Sequence, residues 1–252
     1  MEVHHHPKVD PDSHRKKKFK EYFSEFLMIF LAVTLGFFAE SLREKISEHH
    51  REVNYMRSIV NDLKADTSEL NKLKPKQDIL LKHFNTALSI PPQQLRDPAL
   101  QDSFYYHYMY FYSFVSYFVA HNEKISQIQK MNGLTFSRQD VIDSLSELEL
   151  FYNFFLLGDN SSYIDLNRKT NDLGAKVISC PGYMTSIKLP VPSISHDLPV
   201  FITVDLPTIR ELYNDINMQK GQLEQCIFEQ EDYRTRAERL LAFINGKYHF
   251  TE

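Results

Sequence analysis

The chain has 252 residues and a formal charge of −4, long enough to bury a full core in one or two domains. Its 29 basic and 33 acidic residues exclude a general nucleic-acid binder, which needs a concentrated basic face to displace counterions from phosphate. Seven glycines build no phosphate loop, and no H-E-x-x-H, C-x-x-C or paired Cys/His spacing appears, so neither a cofactor nor a metal is expected.

Residues 1–20 read as a basic tail, in which Arg15, Lys16, Lys17, Lys18 and Lys20 crowd ahead of EFLMIFLAVTLGFFAES, Glu25 to Ser41. His4, His5 and His6 belong to that tail and read as part of a disordered arm. From Phe26 to Ala39 no charged or amide side chain occurs, a helix of roughly 21 Å. A bilayer core asks for about 20 residues, and counting from Tyr22 to Leu42 supplies them, so residues 21–42 are expected to form a transmembrane helix. A cleaved signal with Ala39-Glu40-Ser41 as its site, and a core helix of a soluble protein, are the alternatives. An uncleaved anchor is favoured, because after Gly36 the apolar pattern runs on without a break or a change of phase. Basic residues on the N-terminal flank place that end in the cytoplasm.

Residues 43–75 read as a coiled-coil stalk. Leu42, Ile46, His49, Val53, Met56, Val60, Leu63, Thr67 and Leu70 recur at alternating spacings of four and three, which makes a supercoiled seam. His49, beside His50, Glu48 and Glu52, is a polar residue of that seam and is expected to fix register, with metal binding or pH sensing as the alternative. The same register carried backward places Met28 and Leu35, with Glu25, Ala32 and Ala39, on one face. Ala32-x-x-x-Gly36 overlaps that face, and small residues permit close helix approach in lipid. Glu25 is then an intramembrane carboxylate with three readings: an interfacial residue, a packing residue, or a proton or ion site.

Lys74-Pro75 is expected to end this first helix, and residues 76–157 to form a helical domain. Asp97-Pro98 starts a helix and Asn132-Gly133 stops it. Between them Phe104 to Ala120 is uncharged and holds six tyrosines, a poor second span because each hydroxyl would need a partner in hydrocarbon. It reads as a buried central helix, with Tyr106, Tyr110 and Tyr117 as a candidate ligand or partner surface. Ser137 to Asp140 resembles a capping box. The following stripe of Val141, Leu145, Leu148, Phe151, Tyr152 and Phe155 is expected to pack against the aromatic helix as an antiparallel pair.

Residues 158–206 read as a long loop punctuated by Pro181, Pro190, Pro192 and Pro199. A small β-hairpin is a candidate within 175–205, from AKVISC, TSIKL and VFITV. Cys180 and Cys226 are expected as two buried thiols, with a single disulfide as the alternative. Residues 207–247 read as a long helix opened by Pro207 and closed by Gly246. Its heptad of Ile209, Leu212, Ile216, Gln219, Leu223, Cys226, Gln230, Tyr233, Ala237, Leu240 and Ile244 suits an antiparallel partner running back along the stalk. The fold class is thus mainly α: a transmembrane helix continuing into a coiled coil, with an antiparallel bundle outside the membrane.

Two stretches, KEYFSEFLMIFLAVTLGFFAESLRE and NEKISQIQKMNGLTFSRQDVIDSL, together resemble an uncharacterised family of single-pass inner-membrane proteins found mostly in Bacteroidota. The resemblance covers about a fifth of the chain directly. It implies a bacterial envelope location and a domain of unknown function, and it brings no catalytic residues; with the basic flank in the cytoplasm, everything after Leu42 is then expected in the periplasm. The expected function is non-enzymatic: an oligomeric scaffold, adaptor or accessory subunit with the lipid bilayer, further copies of itself and an envelope protein as partners. A helix oligomer conducting ions or protons through Glu25, and a periplasmic ligand sensor, are the alternatives.

Overall fold

The computed structural model of the chain describes residues 11–128, 138–179 and 201–250, with side chains from Phe19 onward. It is mainly helical. The elements are α1 (Pro11–Ser89), a 3-10 turn (Pro92–Gln94), α2 (Pro98–Ser113), α3 (Glu123–Ile128), α4 (Gln139–Phe151), a π turn (Tyr152–Leu156), α5 (Leu157–Val177) and α6 (Leu206–Tyr248). The chain divides into two units, the first ending at Asn54 and the second beginning at Tyr55.

In the first unit α1 is exposed on every side from Phe19 to Ile46. Among the described residues this is the one helix long and apolar enough to cross a membrane, and none of its most apolar window is buried inside the chain. The Thr34 hydroxyl donates to the Phe30 carbonyl at 2.7 Å, which satisfies the polar group without leaving the helix.

The second unit is built around the antiparallel pairing of α1, from Met56 onward, with α6. Tyr233 meets Asp66, the Gln77 amide donates to Gln230 Oε1 at 2.9 Å, and the Tyr213 hydroxyl donates to the Ile90 carbonyl at 2.7 Å. One end of the core joins Leu80, Phe84 and Ala87 of α1 to the α2 aromatics Phe104, Tyr108 and Phe111, to Tyr163 and Val177 of α5, and to Ile209–Cys226 of α6. The other end joins Met56–Leu70 of α1 to Phe118, Val141, Leu145 and Leu148, and to Tyr233–Ile244 of α6. All eleven expected seam positions of α6, Ile209 through Ile244, are buried.

Several expectations are corrected. Pro75 does not end α1, which carries it inside the helix. The residue is exposed, so the Asn71 carbonyl that loses its donor faces water, and the buried contacts of Leu80, Phe84 and Ala87 beyond it outweigh the helix penalty of about 3 kcal/mol. The aromatic helix starts at Asp97, whose side chain accepts from Ala99 N, but it ends at Ser113; residues 114–122 are irregular. The α4 stripe packs with α6 and the front of the α1 seam, whereas the α2 aromatics occupy the other end of the core, so α2 and α4 are not the antiparallel pair expected.

The long loop expected from residue 158 is a helix as far as Val177. Its buried residues are Asn160, Tyr163, Asn167, Thr170, Gly174 and Val177, again at alternating spacings of three and four, but four of the six are polar or glycine. Each of three has a physical reason. Asn160 Nδ2 donates to the Phe118 carbonyl at 2.6 Å, Thr170 bonds back to the Leu166 carbonyl, and a Cβ on Gly174 would lie 1.8 Å from the Tyr108 hydroxyl oxygen. Helix α4 enters α5 through the π turn, in which Leu157 N bonds the Tyr152 carbonyl. That wider turn inserts an extra residue, placing Leu156 in the core and leaving Phe155 51% exposed.

No strand occurs among the described residues; Ile178 and Phe201 form one isolated antiparallel bridge. Of the hairpin candidate, Ala175 to Val177 are helical and Ile202 to Asp205 are in no strand; TSIKL, Cys180 and the four loop prolines lie outside the described residues, as do His4–His6, Asn132-Gly133 and Ser137. The side chains of Arg15 to Lys18 do so too. Helix α6 runs past Gly246 and stops at His249, which adopts the left-handed conformation with φ 54°.

Candidate functional site: an uncovered apolar helix and a histidine–tyrosine face

Glu25, Met28, Ala32, Leu35, Gly36 and Ala39 are all exposed on α1, and a Cβ on Gly36 would meet nothing within 4 Å. Nothing within one chain covers this face. Farther along, Leu42 and Ile46 are 45% and 55% exposed, His49 is exposed beside Glu52 at 3.9 Å, and Val53 is half-buried. Met56, Val60, Leu63 and Leu70 are buried. The buried stripe also takes Ile59 beside Val60, and Asp66 rather than the half-buried Thr67.

Asp66 enters an apolar seam because it is fully used as an acceptor. Oδ2 accepts from the Tyr233 hydroxyl at 2.8 Å; Oδ1 accepts from His121 N at 3.1 Å and from His121 Nδ1 at 2.6 Å. The bond to Asp66 holds the His121 imidazole pKa above its ordinary value, with Asp62 and Glu69 adding to it. Asp62 grips Lys124 at 2.8 Å, and the Tyr55 hydroxyl donates to the Lys124 carbonyl. Together these bonds tie the irregular stretch 114–122 and α3 to α1, which is why a segment without helical periodicity is ordered.

Of the expected tyrosine surface, Tyr106 and Tyr110 lie together on α2, whereas Tyr117 falls in the irregular stretch. The structure adds two residues to the first pair. His83 of α1 and His107 of α2 meet nitrogen to nitrogen, Nδ1 to Nδ1, at 2.9 Å. The His83 ring stacks on Tyr110 with centroids 3.7 Å apart and planes 2° from parallel, and Tyr106 flanks His83 at 5.7 Å and His107 at 5.1 Å. Burial lowers both imidazoles, His83 to about 4 with the His107 charge adding to the effect. Both rings are therefore neutral at pH 7, and one must donate an N–H that the other accepts. Neither was singled out from sequence. They stand 24 residues apart, on the last turns of α1 and on α2, and no spacing within either helix links them.

Cys226 is fully buried in α6, and burial pushes its thiol up to about 12. Among the described residues no group of three or more His, Cys, Asp or Glu converges on a point that could hold a metal. Comparison with known proteins returns no match: no family model, no curated protein and no solved structure matches this chain.

Proposed function

We propose that the protein is a single-pass membrane-anchored helical scaffold or adaptor. On this reading α1 is an uncleaved anchor in a bacterial inner membrane, its basic end lies in the cytoplasm, and the unit from Tyr55 onward stands in the periplasm to bind an envelope partner. The observation that carries the reading is the exposure of every apolar side chain from Phe19 to Ile46 on a helix long enough to cross a bilayer. Burying such a surface is worth about 25 cal/mol per Å², so water is the least favourable medium for it. The basic flank supports the orientation, and the small-residue face of Ala32, Gly36 and Ala39 supports self-association in lipid.

Gly36 separates association from folding. Because a side chain there meets nothing in its own chain, Gly36→Ile leaves the fold of the monomer untouched. The reading expects membrane-extracted protein to resist alkaline carbonate, and Gly36→Ile to lower the oligomer mass in mild detergent. Release by carbonate refutes the anchor; an unaltered oligomer mass refutes the close-packed helix interface.

A further inference from the structure

The nitrogen-to-nitrogen contact of His83 and His107 is an uncommon way to satisfy two imidazoles. A neutral pair shares one hydrogen, so each ring commits its Nδ1 to the other and turns its Nε2 away. The pair is held in place. Tyr110 lies flat on the His83 ring, Tyr106 closes the side, and both histidines are partly buried between α1 and α2. Two neutral imidazole nitrogens fixed at one spacing are a chelate for a transition metal, the ion that imidazole binds best after the proton.

We propose that His83 and His107 bind a divalent transition-metal ion of tetragonal preference, Cu2+ foremost, at their facing Nδ1 atoms. The spacing selects the geometry. A metal about 2.0 Å from each nitrogen subtends about 90° across the observed 2.9 Å, the cis angle of a square-planar or octahedral site, once both rings turn their Nδ1 lone pairs from the shared hydrogen toward the ion. A tetrahedral Zn2+ ion with the same bond lengths needs its nitrogens about 3.3 Å apart, farther than the pair stands. With no third His, Cys, Asp or Glu converging among the described residues, water fills the remaining positions. The site is therefore exchangeable and open to an external ligand. Binding is balanced without net proton release: the hydrogen that one Nδ1 donates moves through solvent to the Nε2 of the same ring, and both Nδ1 lone pairs go to the metal. The inference stands independently of the membrane reading.

The test uses the full chain in detergent with His4, His5 and His6 replaced by Ala, since three tail imidazoles would compete. Titration with CuCl2 is followed by calorimetry and electron paramagnetic resonance, then repeated with ZnCl2. The expected result is one Cu2+ per chain with a spectrum split by two imidazole nitrogens, and at least tenfold weaker Zn2+ binding. His83→Gln and His107→Gln should each weaken Cu2+ binding at least tenfold. A spectrum without two imidazole nitrogens overturns the site before any substitution at the pair is made. So does retention of the same stoichiometry and spectrum in either folded variant, or Zn2+ binding as tight as Cu2+.

Discussion

Asp66 shows how one charged residue organises an apolar seam. A buried carboxylate is tolerated when its lone pairs are met by donors, and here Tyr233, the His121 backbone and the His121 ring supply them. Replacing Asp66 by Ala removes the acceptor for all three, and unfolding in urea should show a loss of about 3 kcal/mol, two charge-assisted bonds' worth. The pH dependence follows from His121. Its folded pKa is raised above the ordinary 6.5, so the stabilisation is fully present below that value and is lost as pH rises through the folded one. The ring is 55% exposed, which keeps the effect small through solvent screening. The melting temperature of the wild type should exceed that of His121→Gln by more at pH 6 than at pH 9; an equal gap at both would mean the ring bonds Asp66 in its neutral form. Gly174 makes the opposite case, a residue that matters for what it lacks. Its missing Cβ admits the Tyr108 hydroxyl, and Gly174→Ala should cost about 1–3 kcal/mol in the same assay through overpacking, although Ala is the better helix former.

At the scale of the element, α6 was legible residue by residue because its seam is mostly apolar, and each of its expected positions is buried. Helix α5 keeps the same alternation of three and four but fills it with Asn, Thr and Gly. A reading that follows hydropathy therefore saw a loop, and the signal lay in the spacing alone. The buried stripe of α1 is wider than the expected seam, taking Asp66 beside Thr67, for a related reason. Thr67 is a more acceptable interior residue than Asp66 until Tyr233 and His121 are known to be opposite. The π turn and the His83–His107 contact had no local signature. One depends on keeping two helical faces in phase, the other on how α2 folds back against the end of α1. That proline is exposed and its carbonyl partner faces water, so Pro75→Ala should restore a helical hydrogen bond and stabilise the second unit by about 1–3 kcal/mol. A lower melting temperature for Pro75→Ala would show that α1 depends on a bend at this point.

Across the whole molecule, two units make opposite use of the helix code. From Tyr55 onward, apolar and polar seam residues are buried against one another. Before it, the apolar residues of α1 from Phe19 to Ile46 are left bare within the chain, a state that water does not favour. The proposed resolution is lipid, with the small-residue face turned toward a second copy. The most direct test places a spin label at successive positions from Tyr22 to Ile46, in full-length protein reconstituted in nanodiscs with Cys180 and Cys226 replaced. Collision with oxygen and with a water-soluble nickel chelate is then compared position by position. The account predicts oxygen access rising to a maximum between Ala32 and Leu35 with nickel access at its minimum there, and the reverse at Ile46. Nickel access that stays high from Tyr22 to Ile46 would contradict it.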